Sequence, residues 1–159
     1  MRTLMQWLSP VMFWIAFAIF RSPVFKRARW RHTLAMKLFR VAAESGSVRA
    51  LSVYGHLLHF RGEDVSSRIQ GGIYLQRAAE KGDLKALYQM GRIHESGFEH
   101  YFPIKPADSL ACYRAAAEQG HPLALKRMCA VYEEGGLGEA ADSAKAEHWR
   151  ALQEHSSPA

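Results

Sequence analysis

The chain contains few of the residues and motifs on which the chemistry of a small protein usually depends. Only two of its 159 residues are cysteines, Cys112 and Cys129, and two cysteines define neither a disulfide framework nor a metal site. The sequence also lacks an HExxH motif, a paired CxxC, a nucleophile elbow and a phosphate-binding glycine loop. We therefore predict no enzyme, no catalytic residue, no cofactor, no metal and no small-molecule substrate. We expect both cysteines to be buried apolar residues.

The histidines do not form a convincing metal-ligand pattern either. Two groups stand out, His56 with His59 on one predicted helix, and His94, Glu95, Glu99 and His100 near the following loop. Since neither group matches a known ligand motif, we interpret these histidines as exposed polar side chains.

Acidic residues are absent from the first 43 positions, which contain eight Lys/Arg. Residues 44–159 contain thirteen Lys/Arg and fifteen Asp/Glu, so the net charge of +6 comes entirely from the N-terminal part. Because the rest of the chain is nearly neutral, we predict no nucleic-acid partner.

The chain does contain a block that occurs three times. Each copy reads Ala-Ala-Glu, one variable residue and Gly, followed four residues later by Ala-Leu, at 42–51, 78–87 and 116–125. The block glycines are 36 and then 38 residues apart, a period typical of stacked α-helical repeats. We expect Gly46, Gly82 and Gly120 to end helices in a left-handed backbone conformation.

A second set of small residues recurs inside the helix that follows each block, at Gly55, Gly91 and Cys129. A glycine in a helix interior costs about 1 kcal/mol relative to alanine. Its recurrence at one offset therefore predicts a close helix–helix crossing.

These residues resemble a known family. The string Tyr113–Gly120 is similar to the helix-end signature of the Sel-one-like repeat (SLR) family, relatives of tetratricopeptide repeats, and Asp142, Lys145, Ala146 and Trp149 resemble its next helix start. The resemblance covers roughly residues 33–152. It implies an all-α fold, a right-handed α-solenoid of about three helix pairs with a closing helix from Ala140 to about Gln153, behind an apolar N-terminal helix. We divide the chain into that helix (1–20), a basic linker (21–32), the repeats (33–154) and a disordered tail (155–159).

No charged residue occurs in Leu4–Phe20, and basic residues follow directly. Seventeen residues is short for a membrane-spanning helix. Four interpretations stay open: a membrane anchor, an interfacial helix, a cleaved signal peptide, or a cap over the first repeat. We favour the anchor, for which the positive-inside rule places the repeats in the cytoplasm at the inner membrane; a periplasmic or soluble protein is the alternative. The predicted membrane-contacting residues are Trp7, Phe13, Trp14, Phe17, Phe20, Lys26, Arg27, Arg29 and Arg31.

The resemblance also implies a function. In SLR proteins, many of them bacterial, the first helices of successive pairs line a concave face that holds a protein partner. We predict a membrane-tethered scaffold or adaptor; the alternative is a regulator that binds anionic lipid through the basic segment 21–40. The apolar loop 98–104 either packs over the groove between the second and third pairs, which we favour, or forms an exposed recognition patch. The predicted protein-binding residues are Arg40, Gln76, Arg77, Arg114, Tyr101 and Phe102.

Overall fold

The computed structural model describes residues 11–18 and 29–156, in which every regular element is an α-helix. The all-α prediction is therefore confirmed. The chain divides into two compact units at Lys81 and Gly82. The first contains α1 (11–18), α2 (Arg29–Glu44), α3 (Val48–Arg61) and α4 (Val65–Glu80). The second contains α5 (Leu84–Ser96), α6 (Pro106–Glu118), α7 (Pro122–Glu134) and α8 (Ser143–Ser156).

Each repeated block contains the end of one helix and the start of the next. Gly46, Gly82 and Gly120 have φ angles of 96°, 80° and 82°, which confirms the predicted left-handed helix ends. A side chain then begins the following helix by accepting a backbone hydrogen bond from the alanine three residues later, as Ser47 does from Ala50 at 3.3 Å. Asp83 and His121 do the same in the other two copies, because a carboxylate and an imidazole nitrogen can both accept.

In the first unit, α3 and α4 cross with their backbones in contact. A Cβ atom built on Gly55 would lie 2.8 Å from the nitrogen of Leu75 and 2.9 Å from the oxygen of Gly71. A Cβ on Gly71 would lie 2.3 Å from the nitrogen of His59. The close crossing predicted from the recurring small residues is thus confirmed here.

In the second unit, the residue at the same repeat position, Gly91, is also closely packed. A Cβ on Gly91 would lie 2.7 Å from the ring of Tyr113, and the buried Ser109 hydroxyl donates to the Gly91 carbonyl at 2.8 Å. Cys129, the third residue of the series, is buried on α7, while Cys112 on α6 is half-buried. Burial raises the pKa of both thiols.

The apolar helix α1 packs on the first helix pair. Phe13 and Ala16 are 6% and 0% exposed, and the Phe13 ring lies 5.9 Å from that of Phe39 on α2. The guanidinium of Arg49 on α3 lies 5.9 Å from the centroid of the Trp14 ring. Of the four interpretations of this segment, the cap matches these contacts.

Only some of the predicted membrane-contacting residues lie within the described part of the chain, and their membrane contact stays a prediction. Phe13 faces protein, Trp14 is exposed and Phe17 is half-buried. Trp7, Phe20, Lys26, Arg27 and the side chains of Arg29 and Arg31 lie outside what the structure describes. None of the helices within residues 11–18 and 29–156 has both the length and the apolar character needed to cross a membrane.

Three sequence-based expectations differ from the structure. Helix α2 begins at Arg29, inside the predicted linker, because residues 29–44 contain no proline or glycine to prevent helix formation. The closing helix begins at Ser143 and not at Ala140, since the Asp142 carboxylate caps it by accepting from the backbone of Lys145 at 3.1 Å. His59 is buried, with Nδ1 3.1 Å from the carbonyl oxygen of Arg68.

Candidate functional site

Two of the predicted binding residues in the first unit, Arg40 and Arg77, act electrostatically on a pair of packed tyrosines. The rings of Tyr54 and Tyr74 meet edge to face with centroids 5.0 Å apart, and the guanidinium carbon of Arg77 lies 5.8 Å from the Tyr74 centroid. Burial raises the pKa of both phenols; the charge of Arg40 opposes that rise at both tyrosines, and Arg77 opposes it at Tyr74. We call Arg40, Glu44, Tyr54, Tyr74 and Arg77 the tyrosine–arginine cluster.

The charged members of this cluster are exposed, while its tyrosines are not. Arg40 forms an ion pair with Glu44 one turn later at 3.8 Å, and both side chains are 56% exposed. A pair this exposed contributes at most about 1 kcal/mol, so Arg40 can exchange Glu44 for a partner's carboxylate. Gln76, the third predicted residue in this unit, is exposed and donates to Glu80 at 3.3 Å. The cluster offers planar cationic donors on a rigid aromatic base, and tyrosines that stay protonated at neutral pH.

Arg114, in the second unit, has the same offset from its block glycine as Arg40 and Gln76 have from theirs. It is exposed on α6, and its Nη2 donates to the Tyr132 hydroxyl at 3.4 Å. The Lys145 ammonium lies 5.1 Å from the centroid of the Tyr132 ring. An exposed arginine beside a buried tyrosine therefore occurs in both units.

The apolar loop separates its side chains between the interior and the surface. Phe98 and Phe102 pair as an antiparallel bridge with N···O distances of 2.8 and 3.0 Å. Phe102 is only 4% exposed, whereas Tyr101 and Ile104 are 54% and 62% exposed. Phe102 anchors the loop in the interior and is therefore not accessible to a partner. Tyr101 lies at the surface, where a partner could contact it.

The turn at the tip of this loop has an unusual backbone. Glu99 and His100 have φ angles of 50° and 58°, a left-handed conformation that costs a non-glycine residue about 1–2 kcal/mol. The corresponding turn after α7 has positive φ at Gly136, Leu137 and Gly138, and Leu137, with a φ of 52°, is the one non-glycine residue among them. The first turn thus holds two non-glycine residues in this conformation, and its counterpart holds one.

The sequence did not predict a groove of about 430 Å³ in the second unit. It runs between α5 and α7, and Tyr113 of α6 contributes to its wall. Its lining residues are Tyr88, Arg92, Glu95, Ser96, Tyr113, Leu123, Lys126, Arg127 and Ala130.

A hydrogen-bonded network links the three helices at this groove. Arg127 Nη2 donates to Glu95 Oε1 at 2.5 Å, and the Tyr113 hydroxyl donates to Glu95 Oε2 at 2.7 Å. Burial alone would raise the pKa of Glu95, but these two donors hold it below its ordinary value. Burial and Glu95 together raise the pKa of Tyr113 far above its ordinary value. A carboxylate held ionised and a phenol held protonated are suited to structure, not to proton transfer at neutral pH.

Nothing in the part of the chain that the structure describes gathers three His, Cys, Asp or Glu side chains in a way that could hold a metal ion. His94 is half-buried on α5, and burial lowers its pKa. The predicted group of His94, Glu95, Glu99 and His100 is not brought together, since Glu95 is bound to Arg127 and Tyr113 and the other acidic residue lies at the loop tip.

Comparison with known proteins places this geometry in a family. The sequence model of the Sel1 repeat matches residues 32–47, 48–83, 84–121 and 122–149. A Sel1 repeat protein of Oxalobacter formigenes has a similar structure, with a TM-score of 0.77 and 19% identity over 94% of this chain. A protective antigen of uropathogenic Escherichia coli that displays an SLR fold gives a TM-score of 0.79 and 26% identity, also over 94% of this chain.

The chain spans 59% and 31% of the lengths of these two relatives. A search of curated proteins found no match. The four matched repeats cover most of the sequence, and both solved relatives have the α-solenoid architecture expected from the repeated block. The chain belongs to the Sel1 repeat family.

Proposed function

We propose that this protein is a non-enzymatic scaffold that binds a protein partner through exposed residues of α2 and α4, two of the helices that end in the repeated blocks. Sel1 repeats generally mediate protein–protein interaction. The observation that carries the proposal is the tyrosine–arginine cluster, in which Arg77 on α4 lies over the ring of Tyr74 and the charge of Arg40 on α2 acts on both Tyr54 and Tyr74.

The physical chemistry of this cluster suits recognition. Arg and Tyr are the side chains most often found at energetic hot spots of interfaces, because they combine a large contact area with directed hydrogen bonding. The buried ring of Tyr74 lies against the guanidinium of Arg77 and so limits its positions, which reduces the side-chain entropy lost on binding. Arg40 and Arg77 together can hold a partner's carboxylates in forked, planar geometry.

We further propose that α1 serves as the N-terminal cap of the array. An open solenoid end exposes apolar surface that a terminal element must cover, and Phe13 and Ala16 supply such cover. The predicted membrane tether, its cytoplasmic orientation and the alternative of a lipid-binding regulator gain no support from the helices of the described residues. They form no part of the proposal.

The test is a quantitative affinity purification of the full chain from its native host. We compare Arg40→Glu/Arg77→Glu with the control Arg61→Glu/Lys81→Glu, which makes the same charge change at two exposed residues of the same unit outside the cluster. Circular dichroism checks that each variant is folded. We expect the control variant to recover as much partner as the wild type, and the cluster variant to recover at least tenfold less. If the two variants recover equal amounts of partner, whether high or low, the role of the cluster is refuted.

A further inference from the structure

The groove between α5 and α7 is lined by two cationic side chains that form no ion pair among the described residues. Arg92 on α5 and Lys126 on α7 both line it and are both exposed. Among residues 29–156, neither forms an ion pair, whereas Arg127 beside them is paired with Glu95. Two cations on adjacent helices are therefore available to a ligand.

The groove differs in charge from the unit that contains it. Residues 82–159 contain eight Lys/Arg and eleven Asp/Glu, a net charge of −3. The charged lining residues are Arg92, Lys126, Arg127 and Glu95, a net charge of +2. Glu95 accepts hydrogen bonds from Arg127 and Tyr113 and forms no ion pair with Arg92 or Lys126, although Arg92 is close enough to interact with it electrostatically. A local positive site on an acidic unit favours an anionic ligand.

An apolar surface accompanies these cations. Leu123 at the start of α7 is 53% exposed, and Tyr88 is half-buried. The Tyr88 ring stacks on His121 with centroids 4.5 Å apart and an interplanar angle of 17°, which fixes its position. An exposed leucine and an immobilised aromatic ring in one groove provide a contact for an apolar side chain.

We propose that this groove binds an acidic segment of a protein, whose carboxylates contact Arg92 and Lys126 while an apolar side chain packs against Leu123 and Tyr88. The site is separate from the tyrosine–arginine cluster and does not depend on it. A protein segment fits better than a nucleic acid, because its apolar side chain can cover Leu123, which a phosphate backbone would leave without an apolar partner.

The experiment measures fluorescence anisotropy of a labelled twelve-residue peptide of glutamate with leucine at every fourth position, titrated with the full chain at low and at physiological salt. Arg92→Gln/Lys126→Gln removes the two groove cations. Lys105→Gln/Lys145→Gln is the matched control, since it removes two exposed cations of the same unit outside the groove. We expect the groove variant to bind at least tenfold more weakly than the wild type and the control to bind within twofold. Leu123→Ser should weaken binding about threefold to fivefold, without changing its salt dependence.

Four results would overturn the proposal. They are undetectable binding by the wild type at low salt, equal weakening in both double variants, equal binding of the peptide with glutamine in place of glutamate, and equally effective competition by a single-stranded oligonucleotide of the same charge. The Arg40→Glu/Arg77→Glu variant should bind the acidic peptide like the wild type. The two sites can thus fail independently.

Discussion

The crossing of α3 and α4 makes a quantitative prediction for Gly71→Ala. The added methyl carbon would lie 2.3 Å from the backbone nitrogen of His59, and 2.8 Å from both its Cα atom and the carbonyl oxygen of Gly55. These obstacles are backbone atoms of α3, so no side-chain rotation can relieve the overlap. The two helices must move apart, and the apolar contacts along their whole interface weaken with them.

The size of the effect follows from two opposing contributions. Alanine is favoured over glycine in a helix interior by about 1 kcal/mol. Overpacking a well-filled contact costs about 1–3 kcal/mol, and a backbone obstacle places Gly71→Ala at or above the upper end of that range. We expect the free energy of unfolding to fall by about 2 kcal/mol. With a urea m-value of about 2 kcal/mol/M, the unfolding midpoint should drop by about 1 M.

The assay is urea unfolding followed by circular dichroism at 222 nm. Gly82→Ala is the control: Gly82 has a φ of 80°, with no atom within 4 Å of a built Cβ, so its cost is limited to backbone strain of about 1–2 kcal/mol. Gly71→Ala should therefore be at least as destabilising as Gly82→Ala. A Gly71→Ala protein as stable as the wild type would refute the described crossing.

Three further changes test other parts of the structure. Folding lowers the pKa of Glu95, so the stabilisation that its carboxylate provides is present above its ordinary value of 4.5 and declines as pH falls through the lower, folded value. Glu95→Gln should therefore lower the urea midpoint more at pH 7 than at pH 3, and an equal loss at both would contradict this. Glu99→Asn/His100→Gly supplies residues that favour positive φ and should raise stability by about 1 kcal/mol in a thermal melt; a lower melting temperature would contradict the turn geometry. Phe13→Ala should cost about 3 kcal/mol or more, and the exposed Trp14→Ala less than about 1 kcal/mol; equal losses would argue against the cap.

The helix ends and crossings could be predicted from the sequence because they depend on local chemistry. Gly46, Gly82 and Gly120 occupy backbone conformations that disfavour other residues, so their spacing marks the repeat directly. Gly55 is required because the backbone of α4 lies against it. Since Gly91 occurs at the same position of the next repeat, the sequence alone could predict a close helix crossing.

The groove and the cap could not be predicted in the same way. Glu95 and Arg127 are 32 residues apart, and no pattern in the sequence pairs one charged helix residue with another at that separation. The apolar character of α1 suits a membrane and a protein interior equally. The contact between Phe13 and Phe39 on α2 favours the cap over the anchor. Phe102 and Tyr101 are adjacent aromatic residues, and only the bridge with Phe98 shows which one is buried.

Site-specific photo-crosslinking tests the central claim, partner binding through α2 and α4, most directly. Gln76 and Gln70 are both exposed on α4, and six residues separate them, which places them about 120° apart around the helix. A photo-reactive amino acid replaces each in turn, with and without Arg40→Glu/Arg77→Glu. We predict a discrete adduct with a partner protein from position 76, lost in the charge-reversed background, and none from position 70. No adduct from position 76, or the same adduct from both positions, would contradict the account.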